Sequence, residues 1–160
     1  MDLQFLTAYL TTFFLAILPV SELRGSIPFA IQILKLSPLE AFFWSVLGNI
    51  VPVLLIMCLL GPISNFLMEK SKFLNCLFTG LFEKTRQKHT KKFAELGYLF
   101  LVTFVAIPLP ATGGWTASLI AFLFGVPYLR AVGLISLGIV ISGIIVTAGM
   151  ESIIKILRFF

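Results

Sequence analysis

Glu22 and Arg24 stand two positions apart in LPVSELRGSIPFAI (18–31), with apolar runs on both sides. A carboxylate held away from bulk water can take up a proton or a cation, and a guanidinium can hold an anionic group. Residues two apart do not share a helix face, so both reach one cavity if this stretch is an extended tip. Were the tip to lie among lipid headgroups, both charges would simply be solvated. Ser21 adds a hydroxyl, and Pro19, Gly25 and Pro28 shape the stretch. A second breaker-rich stretch, PLPATGG (108–114), carries no charge. There Thr112 offers a hydroxyl, Gly113 and Gly114 offer bare backbone, and Pro108 and Pro110 set the bend. Trp115 is placed either to stack on a ligand or to anchor at a membrane interface. Asn49, close to Pro52, can bond a neighbouring helix or line a path. These six (Ser21, Glu22, Arg24, Asn49, Thr112 and Trp115) are the candidate pathway residues. No catalytic residues, metal ligands or cofactor are expected, since the chain has no CxxC, phosphate loop or nucleophile elbow. His89 lies in the charged run KTRQKHTKK and is read as solvent-exposed. Cys58 and Cys76 are not expected to pair.

The elements that position these residues belong in lipid. Of 160 residues, 59% are hydrophobic and 12% charged, with mean hydropathy +1.05. A soluble domain carries about twice that share of charge. This excludes a disordered chain, a disulfide scaffold and a conventional soluble enzyme, and leaves an integral membrane protein in contact with the bilayer. The net charge is +5, and seven of the twelve Lys and Arg lie between Glu69 and Glu95. In a membrane chain such a cluster reads as a cytoplasmic loop rather than a nucleic-acid surface. The N-terminus lacks the positive start and cleavage site of a signal peptide and is kept as mature structure.

Two runs are long enough to span: 41–61, with Pro52 inside it, and 131–150, rich in Gly and Ser. Residues 3–18, 27–34, 97–107 and 115–124 are shorter apolar runs. Residues 64–96 pattern as an amphipathic segment at the interface with a charged continuation in water. Pro19 and Pro108, Gly25 and Gly114, and Pro38 and Pro127 each stand 89 positions apart, which points to an internal duplication. Each unit then holds a short helix, a tip, a second short helix and a long helix. Short helices that cannot span twice fit a re-entrant hairpin. A hairpin plus one span crosses an odd number of times, so two units joined by one loop are inverted.

The expected fold is therefore an all-α integral membrane protein of two inverted repeats, each a re-entrant helical hairpin plus one transmembrane helix. It forms one domain over 1–160: repeat one at 3–63, a basic cytoplasmic amphipathic segment at 64–96, repeat two at 97–150 and a short tail at 151–160. If 3–18 spans fully instead, the orientation of one half changes.

The tips LPVSELRGSIPFAI and VAIPLPATGGWTASLIAFLFG (105–125) resemble the bacterial small multi-drug export proteins, over nearly the whole chain. That family is distantly similar to the DedA, or VTT-domain, membrane proteins. The resemblance implies paired re-entrant hairpins in a bacterial inner membrane and transport of a small molecule, ion or lipid-linked substrate, with proton coupling left open. In the DedA pattern the second tip carries arginines, whereas 104–115 has none here, which argues against a lipid-phosphate mechanism of that type. Carried over residue by residue, Glu22 and Arg24 form the polar centre. Two functions compete: a multi-pass carrier working by alternating access around the tips, and a non-transporting scaffold or lipid-interacting protein acting through its basic segment. A homodimer through helix 131–150 would thicken the thin wall around any pathway.

Overall fold

The computed structural model describes residues 3–70, 91–109 and 112–159, and every element among them is a helix. In chain order they are α1 (Leu3–Ile17), α2 (Glu22–Gln32), α3 (Pro38–Lys70), α4 (Lys91–Ala106), α5 (Gly114–Leu123) and α6 (Tyr128–Phe159). Residues 71–90, which hold most of the expected amphipathic segment, Cys76 and His89, lie outside the described residues, as do Pro110 and Ala111.

Helix lengths follow the breakers. α1 stops at Ile17, two residues before Pro19, and α4 stops at Ala106, two before Pro108. The 15 residues of α1 rise about 22 Å, the 11 of α2 about 16 Å and the 10 of α5 about 15 Å, all short of a hydrocarbon core of about 30 Å. α3 starts on a capping box. Ser37 Oγ accepts from the Glu40 N–H at 3.3 Å, and Glu40 Oε2 accepts from the Ser37 N–H at 3.0 Å. Pro38 fills the first helical position, where a missing N–H costs nothing. Tyr9 OH donates to Glu40 Oε1 at 2.7 Å and its ring stacks on Trp44, fixing α1 against α3. Glu40 is thus a cap and a cross-link rather than a side chain reaching for water.

Two stretches, Pro38–Ile63 and Tyr128–Ile156, are long and apolar enough to cross a membrane, and they contain the expected spans. Three boundaries differ from the sequence reading. α3 continues through Pro62 to Lys70 instead of stopping at 63, and α4 begins at Lys91 rather than 97. α6 runs on to Phe159, so the expected tail at 151–160 is mostly helix. Charges such as Glu151 and Lys155 end an apolar run without ending a helix, because straight-chain charged residues are good helix formers.

The core joins the two halves of the chain. Leu23 and Ile27 of α2, Val46 and Val53 of α3, Val105 of α4, Ala117 and Ala121 of α5, and Ile135 and Ile139 of α6 form one buried cluster. α3 and α6 pack on each other, α2 packs on α6, and α5 packs on α3. Two glycines set the closest approaches. A Cβ on Gly48 would overlap the Phe13 carbonyl oxygen of α1, and one on Gly138 would meet the Val102 carbonyl oxygen of α4 at 2.9 Å. Outward faces are apolar: Phe14, Phe43, Leu55, Leu99, Leu129 and Ile144 are all more than half exposed. Water would not tolerate so continuous an apolar surface, and lipid solvates it.

Candidate functional site

The turn over 18–21 ends α1 and leads directly into α2, whose first residue is Glu22. Glu22, Arg24 and Gly25 therefore lie in the first turn of a helix, not in the extended tip expected from the sequence. Glu22 has φ +44°, in the left-handed region that a residue with a Cβ occupies at a cost of order 1 kcal/mol or more. This conformation aims its carboxyl group at the second tip. Gly25 of α2 sits against Ser21, whose hydroxyl donates to the Leu15 carbonyl and closes the end of α1. Pro28, inside α2, has no N–H to return to the Arg24 carbonyl.

Across from it, α5 begins at Gly114 with Gly113 as its N-cap. The Glu22 carboxylate occupies the space that a Gly113 side chain would fill, and it accepts a hydrogen bond from the Trp115 backbone N–H. It thus caps a helix from a different part of the chain, where unpaired N–H groups and the helix dipole favour negative charge. Arg24 Nη2 donates to the Thr112 carbonyl and, at 2.9 Å, to Thr112 Oγ1. Thr112 Oγ1 also lies 2.9 Å from the Ile107 carbonyl and 2.8 Å from that of Leu109, which holds the second tip folded. The Trp115 indole N–H donates to the Ile17 carbonyl at 3.0 Å, at the open end of α1. Three links therefore tie the tips: Glu22 to Trp115, Arg24 to Thr112 and Trp115 to Ile17.

Beside these links lies a cavity of about 560 Å³. Its walls include Pro19, Val20, Pro108, Trp115 and Leu119, and its polar lining is Ser21, Glu22, Arg24 and Thr116. Among the described residues neither Glu22 nor Arg24 forms an ion pair. Arg24 is half-buried, and its hydrogen bonds among the described residues use Nη2.

Of the six candidate pathway residues, Ser21, Glu22, Arg24 and Trp115 line this cavity, and Thr112 is bonded to Arg24. Asn49 does not line it. It is 1% exposed on α3, and its carbonyl lies 3.5 Å from where a Gly114 Cβ would be. Pro19 and Pro108 form part of the cavity wall, Gly113 and Gly114 are buried at the start of α5, and Pro110 lies outside the described residues. Buried polar residues outside the candidate set are Thr12, Ser26, Ser45, Ser118 and Ser142. Ser26 stands four after Glu22, and Asn49 four after Ser45. That spacing is the signal that could have found them, since it puts each pair on one helix face. Among the described residues no group of three or more His, Cys, Asp or Glu could hold a metal.

An all-helical protein with two long apolar helices and a largely apolar cavity holding a few polar groups between two helix breaks belongs in a membrane. The family described as Putative small multi-drug export protein has a model that matches residues 22–145, and the chain belongs to that family. Neither the curated proteins nor the solved structures provide a match.

Proposed function

We propose that this protein is a multi-pass transporter of the bacterial inner membrane that moves a small molecule, ion or lipid-linked substrate by alternating access around the two tips. The observation that carries this reading is the set of three links that tie breaks 88 to 98 positions apart in sequence beside a cavity. Backbone breaks at membrane depth are stable only where protein or a water-filled cavity covers them. Here each break supplies what the other lacks: charge from the first, N–H groups and a carbonyl from the second.

Inverted repeats, with α1–α2 and α4–α5 as re-entrant hairpins, supply the two interchangeable states. The packing supports this. α1 packs on α2 and α3 as α4 packs on α5 and α6; α2 packs on α6 as α5 packs on α3. The close approach of Gly48 to Phe13 has its counterpart in Gly138 and Val102, 90 and 89 positions on. With the basic loop in the cytoplasm, the first hairpin opens outward and the second inward. A second copy would thicken the wall along α6, where a Cβ on Gly133 or Gly149 would have nothing within 4 Å among the described residues.

In this scheme the tip contacts form a closed gate, and Arg24 holds an anionic group of the substrate when Thr112 releases it. Proteoliposomes loaded with ethidium or carboxyfluorescein test the scheme. The expected result is dye flux by the wild type that falls at least tenfold in Arg24→Ala and Glu22→Gln. A Ser21→Cys, Thr116→Cys pair in a background without Cys58 and Cys76 should block flux when oxidised and recover on reduction. Unchanged flux in all of these variants would reject the tips as the pathway.

A further inference from the structure

α2 and α3 are joined by the short connection 33–37 and pack against each other in opposite directions. Their register is set by one contact: Ser26 Oγ donates to Ser45 Oγ at 2.8 Å, both residues fully buried. In an antiparallel pair, residues one turn to either side of such a contact face each other. One turn toward the connection, Ala30 and Ala41 are buried in one cluster. One turn the other way, the same antiparallel register would set Glu22 opposite Asn49. The second tip lies beside both residues: Gly113 sits against the Glu22 carboxylate, and a Cβ on its neighbour Gly114 would lie 3.5 Å from the Asn49 backbone carbonyl.

Two buried acceptors in this small region are under-supplied. Asn49 Oδ1 is buried with no partner among the described residues, and the Glu22 carboxyl group, in a residue 8% exposed, has two oxygens and the Trp115 N–H. A buried acceptor without a donor costs about 1–3 kcal/mol. A metal cation could fill the gap, but the start of α5 and the Arg24 guanidinium already place positive charge here. A proton on Glu22 supplies the donor without adding a second cation.

We propose that Glu22 and Asn49 form a proton site: the protonated carboxyl O–H donates to Asn49 Oδ1, and the deprotonated carboxylate is held by the Trp115 N–H at the start of α5. The proton arrives from water through the cavity onto a carboxylate oxygen and leaves the same way. Arg24 is the one charged group that acts on Glu22 among the described residues. α1 presents Tyr9, which is bonded to Glu40 of α3 at the other end of α2; Arg130, Glu151 and Lys155 of α6 are exposed; α5 carries no titratable side chain. Protonation removes the negative charge from the start of α5, so it weakens the grip of one tip on the other. That consequence for transport rests on the function proposed above, whereas the site itself does not.

Infrared difference spectra of the full chain in lipid nanodiscs, recorded as pH is lowered, test the site. The wild type should gain a carboxylic acid C=O band that is absent in Glu22→Gln. In Asn49→Val the band should move to higher frequency and its midpoint to lower pH by about one unit, because the protonated form loses its hydrogen bond. Asn49→Ser, which keeps an acceptor, should fall between the two. A spectrum unchanged in Glu22→Gln, or a wild-type midpoint in Asn49→Val, would overturn the site. So would a band that sodium chloride removes at fixed pH and choline chloride does not, since a metal cation would then be the occupant. If Asn49→Val fails to fold, the Glu22→Gln spectrum and the salt comparison decide alone. Dye flux that depends on Glu22 with no titrating band would reject the proton site and leave the transport reading standing. A titrating band in a wild type that moves no dye would do the reverse.

Discussion

The two tips are built from opposite materials. The first presents a carboxylate and a guanidinium, while the second presents a helix start, a carbonyl and a threonine hydroxyl. Neither is satisfied alone. An isolated first tip would bury two charges, and an isolated second tip would bury unpaired N–H groups, each at a cost of several kcal/mol in lipid. Joined, they neutralise each other without an ion pair. If the two halves are the repeats proposed above, the difference teaches that such a scaffold keeps its packing in both halves while dividing the polar work unequally between them.

The comparison breaks first at the helix contacts. If the repeats are equivalent, Gly48→Leu and Gly138→Leu should each lower stability by about 3 kcal/mol, since either side chain collides with a backbone carbonyl of the neighbouring helix. Thermal unfolding in detergent reads this, and a large loss at one position with none at the other would end the equivalence. Next comes the seat of the carboxylate. Gly113→Val should expel Glu22 and cost about 2 kcal/mol, with a matching cut in dye flux, whereas Gly97→Val, where nothing lies within 4 Å, should cost less than about 1 kcal/mol. Arg24→Ala should lose about 1.5 kcal/mol through its charged hydrogen bonds to Thr112; Arg24→Lys should recover part of it, with less than the planar fork supplied. Trp115→Phe should have the smallest effect, about 1 kcal/mol for the bond to Ile17, while leaving the Trp115 backbone link to Glu22 in place. A Phe variant as damaging as Gly113→Val would make the indole, rather than the carboxylate, the principal tie.

Much of the frame was legible. Two uncharged runs marked the long apolar helices, and Pro19 and Pro108 marked where α1 and α4 stop, because proline withdraws a donor and constrains the residue before it. The spacing Ser37-Pro38-Leu39-Glu40 would have announced the start of α3 and the role of Glu40. Other features could not be read along one strand of text. That Glu22 begins a helix with a left-handed backbone depends on a partner 91 positions away at Gly113. The contact of Ser26 with Ser45, on which the proposed pairing of Glu22 with Asn49 rests, forms only once the chain has turned back on itself. That α3 runs unbroken through Pro62 and that α6 runs past Met150 was not legible, because charge signals where lipid stops rather than where a helix does.

The chain has two tryptophans, and they sit in contrasting places: Trp44 is stacked on Tyr9 within the first half, and Trp115 bridges the two tips. Replacing Trp44 with Phe would leave a single indole whose N–H is bonded only while the tips are together. Its emission colour would then report opening and closing in real time, with no dye attached and no knowledge of the cargo required.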